Sequence, residues 1–120
     1  MTRDNDLVRE ILQRIEASQE SPLTIDRLGI TSHDRVAIGY HLQLLEEAGY
    51  VVANFAYGDD AVQEAVVDRL TWAGHEFLDA IRSDTVWAKT KSTIAATVGT
   101  ASLEVVKAAA TAIAMKMMGL

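Results

Sequence analysis

The stretch RVAIGYHLQLLEEAGYV, residues 35–51, decides the fold, because it reads as a helix that stops and passes directly into a strand. Leu42, Leu45 and Ala48 recur at three-residue spacing with Ile38 a turn earlier, so one apolar stripe runs along a helix. Gly49 supplies the residue for which a left-handed end costs little. Tyr50-Val51-Val52 then opens an aromatic, β-branched run of strand type. Helix, glycine stop and immediate strand is how a winged helix-turn-helix hands its recognition helix to its hairpin.

Working outward, residues 4–18 predict a first helix with Leu7, Val8, Ile11, Leu12 and Ile15 on one face and Asp4 and Asp6 in its first turn. Pro22 breaks it. A short second helix is expected from Thr24 to Gly29, burying Ile25 and Leu28. Thr31-Ser32-His33-Asp34 has the spacing of a capping box and predicts a third helix over residues 32–48. Residues 50–57 and 65–71 read as two strands, joined through Gly58-Asp59-Asp60 and further residues by a loop longer than the tightest turns. Thr71 then caps a fourth helix in which Trp72, Phe77, Leu78 and Ile81 face inward. The expected class is mostly α with a small β-hairpin: a winged helix-turn-helix over residues 1–83, then a helical extension over residues 84–120.

In that extension, residues 85–98 are mildly amphipathic, with Trp87, Ile94 and Val98 on one side. Gly99-Thr100-Ala101-Ser102 interrupts, and Ser102 caps the last helix. There Leu103, Val106, Ala110, Ile113 and Met117 form a heptad-like seam, read as an oligomer interface. A helix this apolar nearly all round is usually buried.

The charge is unevenly placed. Residues 1–60 hold five basic against eleven acidic residues, a net −6, whereas residues 61–120 hold six of each. The half with the expected recognition helix is thus poorly equipped to neutralise phosphates. The chain has no cysteine, which removes disulfides and thiolate metal sites. Its charged N-terminus lacks the apolar core of a signal peptide, and no run is long enough to span a membrane, so a cytoplasmic location without a membrane partner is expected.

Candidate DNA contacts are Arg35, Tyr40 and Gln43 on the outer side of the third helix, with Ser32 and His33 at phosphate. Against DNA stand Glu46 and Glu47 on the same helix, and Asp59 and Asp60 at the wing tip, where a groove-entering wing carries cations. Arg69 pairs with either Asp68 or Glu64. His75 and Asp79 are a helical turn apart but lack a third metal ligand, and His41 reads as a hydrogen-bonded packing residue. No nucleophile motif or phosphate loop is present, so neither catalysis nor a cofactor is expected.

The residues from His41-Leu42 through Leu45-Glu46-Glu47-Ala48-Gly49-Tyr50-Val51 resemble the "HL..L.EAG.V" ending of recognition helices in ArsR-type and MarR-type regulators. More of the chain (RDNDLVREIL, YHLQLLEEAGYV and RLTWAGHEFLDAIRSDTVWAKTK) is similar to a family of short, uncharacterised bacterial and prophage proteins carrying a domain of unknown function. The resemblance implies a winged helix of this length and no established activity. The leading expectation is a homodimeric transcriptional regulator that binds double-stranded DNA. The alternative is an acidic winged helix that binds a protein partner or oligomerises without DNA.

Overall fold

The computed structural model describes residues 2–97 and 102–120. The expected interruption at Gly99-Thr100-Ala101 and the position of Val98 lie outside the described residues. Two compact units are present, residues 1–75 and 76–120, dividing within the fourth of the expected helices.

The N-terminal unit begins with helix α1, Asn5–Ala17. Asp4 caps it, its carboxylate accepting the Asp6 and Leu7 amides at 2.9 and 3.2 Å. The whole predicted stripe, Leu7, Val8, Ile11, Leu12 and Ile15, is buried. The expected second helix is replaced by a two-residue strand β1, Leu23–Thr24, and a 3-10 turn, Asp26–Leu28. Pairing of Leu23 with Val67 and Thr24 with Val66 pulls this backbone into the sheet, leaving one turn's length before Gly29. Ile25 and Leu28 are nonetheless buried as expected.

Helix α2, Arg35–Glu47, starts later than its capping-box spacing implied. Asp34 is itself the cap, accepting the Ala37 amide at 2.8 Å, because its carboxylate reaches a free N–H of the first turn without help from Thr31. The other end matches the sequence reading. Gly49 has φ 82°, the Tyr50 amide donates to Leu45 O at 2.9 Å and the Gly49 amide to Glu46 O at 3.0 Å, the paired bonds of a Schellman stop.

Strands β2, Val51–Gly58, and β3, Ala61–Leu70, form the hairpin, and the sheet order is β1-β3-β2. The expected long loop is a two-residue turn. Asp59 and Asp60 sit at φ 52° and 63°, in the left-handed region that Asp tolerates better than most side chains, so pairing runs out to Gly58 and Ala61. Register shifts leave Gln63 and Asp68 of β3 as the extra residues opposite an unbroken β2. The unit thus runs helix, short strand, 3-10 turn, helix and hairpin, with a 3-10 turn where the sequence predicts a second helix.

Helix α3, Trp72–Ile81, is seated by Thr71. The Thr71 hydroxyl donates to Gly49 O at 2.6 Å and accepts the Gly74 amide at 3.0 Å, and its own amide donates to Tyr50 O at 3.0 Å. This brings Gly74 so near that a Cβ there would lie 2.0 Å from Tyr50 O. Trp72 does not face inward: it is 79% exposed, half a helical turn around from the buried Phe77, Leu78 and Ile81.

In the C-terminal unit, α4, Asp84–Thr97, and α5, Leu103–Met117, pack on each other. Ser102 caps α5 through the Val105 amide at 3.2 Å, as expected. The pair buries Val86, Trp87, Thr90 and Ile94 from α4, and Leu103, Val106 and Ala110 from α5. Within the single chain α4 covers only one side of α5, and Val105, Met115 and Met117 are each about half exposed. Among the described residues no helix is long and apolar enough to cross a membrane.

Candidate functional site

Arg35 opens α2, yet its guanidinium is turned onto the protein itself. It hydrogen-bonds Asp26 of the 3-10 turn, Gln63 O at 2.8 Å and Glu64 Oε2 at 3.3 Å, both in β3. Three elements are therefore joined by one side chain, and the planar fork of donors suits that task better than a lysine would. The hydrogen bond to Asp26, followed by that to Glu64, raises the Arg35 pKa above its usual value. Glu64 is held below the usual carboxylate range, first by the Ala65 amide at 2.9 Å, against a small cost of burial, then by the Ile25 amide and by Arg35.

Ser32 and His33 belong to a second internal network. The Ser32 hydroxyl donates to Glu10 Oε1 at 2.8 Å, His33 Nδ1 lies 2.9 Å from Ser32 Oγ, and His33 Nε2 lies 2.9 Å from Asp4 Oδ2. Burial disfavours the charge of Asp4, but the bond from His33 and the Leu7 and Asp6 amides outweigh it and lower its pKa.

His41 lies beneath this network, 1% exposed. Its Nδ1–H donates to Ala37 O at 2.7 Å, so Nε2 is the acceptor for the Asp4 amide at 2.8 Å. That pairing fixes the neutral tautomer. Desolvation is the main reason its pKa falls below the ordinary histidine value. The sequence reading of His41 as a hydrogen-bonded packing residue holds.

Tyr40 and Gln43 are half-buried on α2. Tyr40 stacks edge-on against His41 with ring centroids 5.6 Å apart, and Gln43 donates to the hydroxyl of Tyr57 in the hairpin at 3.2 Å. The five candidate contacts thus divide among separate hydrogen-bond and ring contacts within the chain. Other arginines behave alike: Arg14 lies 3.8 Å from Glu10, Arg27 3.5 Å from Glu20, and Arg69 3.7 Å from Asp68, one of its two expected partners. Among the described residues no three His, Asp or Glu side chains gather as metal ligands.

Of the seam residues read as an oligomer interface, Leu103, Val106 and Ala110 are covered within the single chain, Ile113 is half-buried and Met117 is 49% exposed. The residues that sequence reasoning missed are the carboxylates Asp4, Glu10, Asp26 and Glu64. Their partners lie 9 to 29 residues away, beyond any local spacing rule.

Residues 2–101 match the family described as "Hypothetical protein (DUF2513)", and the chain belongs to that family. It is also similar to an uncharacterised protein of Haemophilus influenzae, 36% identical over 118 residues that cover 98% of this chain and 99% of that one. No solved structure matches.

Proposed function

We propose that this chain is a non-catalytic, cytoplasmic interaction module built on a winged helix, and that it does not act by reading duplex DNA. The observation that carries this reading is Arg35: the one cation at the start of the expected recognition helix is engaged by Asp26, Glu64 and the Gln63 carbonyl. Freeing it for DNA would leave two carboxylates without their partner at the surface DNA approaches. The acidic wing tip and the exposed Glu46 and Glu47 add to that repulsion. Phosphate contacts dominate non-specific affinity, and this unit, with six basic against thirteen acidic residues over positions 1–75, supplies few.

Fluorescence polarisation of the full chain against a labelled random duplex, in low salt, tests the reading. No binding up to tens of micromolar protein is expected, against non-specific dissociation constants of about 10⁻⁴–10⁻⁶ M at physiological salt for dedicated DNA binders. Saturable, salt-sensitive binding that Arg35→Ala abolishes would return the chain to the regulator class.

A further inference from the structure

Strand β2 is an edge strand, since β3 lies between it and β1. Its eight residues, VVANFAYG, carry no charge and no proline, and the extra residues of both bulges belong to β3. Natural edges are usually guarded by a lysine, a proline or a bulge of their own; this one is not. The two-residue turn makes Gly58 and Ala61 a hydrogen-bonded pair, so alternation turns the N–H and C=O groups of Tyr57, Phe55 and Ala53 to the open side. Among the described residues no backbone hydrogen bond reaches that side of β2 from another element.

The edge is bracketed by charge. Glu46 and Glu47 end α2 just before it, and Asp59 and Asp60 form the turn just after it. All four are exposed, and none is in an ion pair among the described residues. Across β2 and β3, Asn54, Phe55, Ala56, Glu64, Ala65 and Val66 line a shallow, mostly apolar hollow of about 220 Å³. An antiparallel second copy would set its Asp59-Asp60 turn against Glu46 and Glu47, and do so twice. Charge therefore selects against self-pairing and in favour of a cationic strand.

We propose that the open edge of β2 docks an extended segment of a partner protein, uncharged through its middle and basic at both ends. It adds as a further antiparallel strand, its backbone pairing with Ala53, Phe55 and Tyr57 and its terminal cations meeting the two acidic pairs. This inference deepens the interaction-module reading and rests on it.

The test uses the full chain, isotope-labelled, and a blocked peptide with two lysines at each end of an alternating Val–Thr core. A glutamate-ended version is the control. The lysine peptide should slow amide exchange at Ala53, Phe55 and Tyr57 by about tenfold or more at saturation, and the glutamate peptide should leave it unchanged. Asp59→Asn with Asp60→Asn keeps the turn, because Asn tolerates the left-handed region, and should weaken the lysine peptide about threefold or more, increasingly so at low salt. Ala53→Pro, which removes one outward N–H, should abolish docking in a hairpin whose remaining shifts are native; if that variant unfolds, the exchange pattern of the parent chain decides. Equal binding of both peptides, protection elsewhere, or no binding at millimolar peptide overturns the proposal. So does concentration-dependent protection of these amides without peptide, which would mark a second copy. The duplex titration above is read separately: DNA binding sinks the interaction module, whereas a failed peptide with no DNA binding sinks only the β2 edge.

Discussion

The two compact units differ in how far along the chain their charged residues find partners. In residues 1–75, Arg14, Arg27, Arg35 and Arg69 each face a carboxylate, and Asp4, Glu10, Ser32, His33 and His41 form a satisfied network around the start of α1. In residues 76–120, Arg82 pairs with Asp79 one helical turn away at 2.8 Å, Lys89 and Lys116 have no ion pair among the described residues, and α5 keeps Val105, Met115 and Met117 about half exposed. Local sequence looks similar in both, a mixture of apolar stripes and scattered charge. The difference is tertiary: the fold of the first unit brings Asp26 and Glu64 to Arg35 from 9 and 29 residues away, whereas α4 and α5 cover only one another's facing sides.

Packing should separate the units most clearly. Leu42, 0% exposed in α2, should lose about 2–5 kcal/mol of stability on Leu42→Ala. Val105→Ala on the open side of α5 should stay within about 0.5 kcal/mol. Urea denaturation of both variants checks this, and equal losses would erase the contrast. Gly74→Ala sharpens the same comparison at the start of α3. Its Cβ would lie 2.0 Å from a carbonyl oxygen that has no rotamer to move, so a loss of about 3 kcal/mol is expected despite the better helix propensity of alanine. A thermal melt at or above the parent value would show that the contact yields.

A smaller effect is expected from pH. The folded pKa of His41 is lowered by burial, so the unfolded chain takes up a proton first as pH falls through about 6.5. The contribution of neutral His41 is full above that value and declines below it. The groups facing His41 are Asp4, His33 and Arg3. Asp4 has the same sign at lower pH: its folded pKa is lowered, so its contribution is lost only as pH falls through the carboxylate range. Urea midpoints taken from about pH 7.5 down to about pH 5.5 should fall for the parent chain and fall less for His41→Gln. Matching slopes would assign the dependence to other groups.

Much of the fold is legible in the sequence, and the limits of that reading are physical. The α1 stripe, the Gly49 stop and the hairpin are set by neighbours within a few residues, and periodicity reads them directly. Strand β1 is two residues long and exists because β3 offers it partners 42 to 44 residues onward, so no local pattern announces it. The turn was misjudged because Asp59 and Asp60, unlike glycine, do not advertise a positive φ. Trp72 looked like core by composition, but its angle on the helix opposes Phe77 and Ile81. At Arg35 the residue type points to DNA, and only the fold brings Asp26 and Glu64 to it.

Arg35 is therefore the residue on which the account turns, and the urea midpoint of Arg35→Ala, with Arg14→Ala as a surface control, tests it most directly. A structural clamp joining the 3-10 turn, α2 and β3 predicts a lower midpoint for Arg35→Ala than for Arg14→Ala at the same salt. A parental midpoint for Arg35→Ala would contradict it, because an arginine that costs nothing to remove is free to serve a ligand.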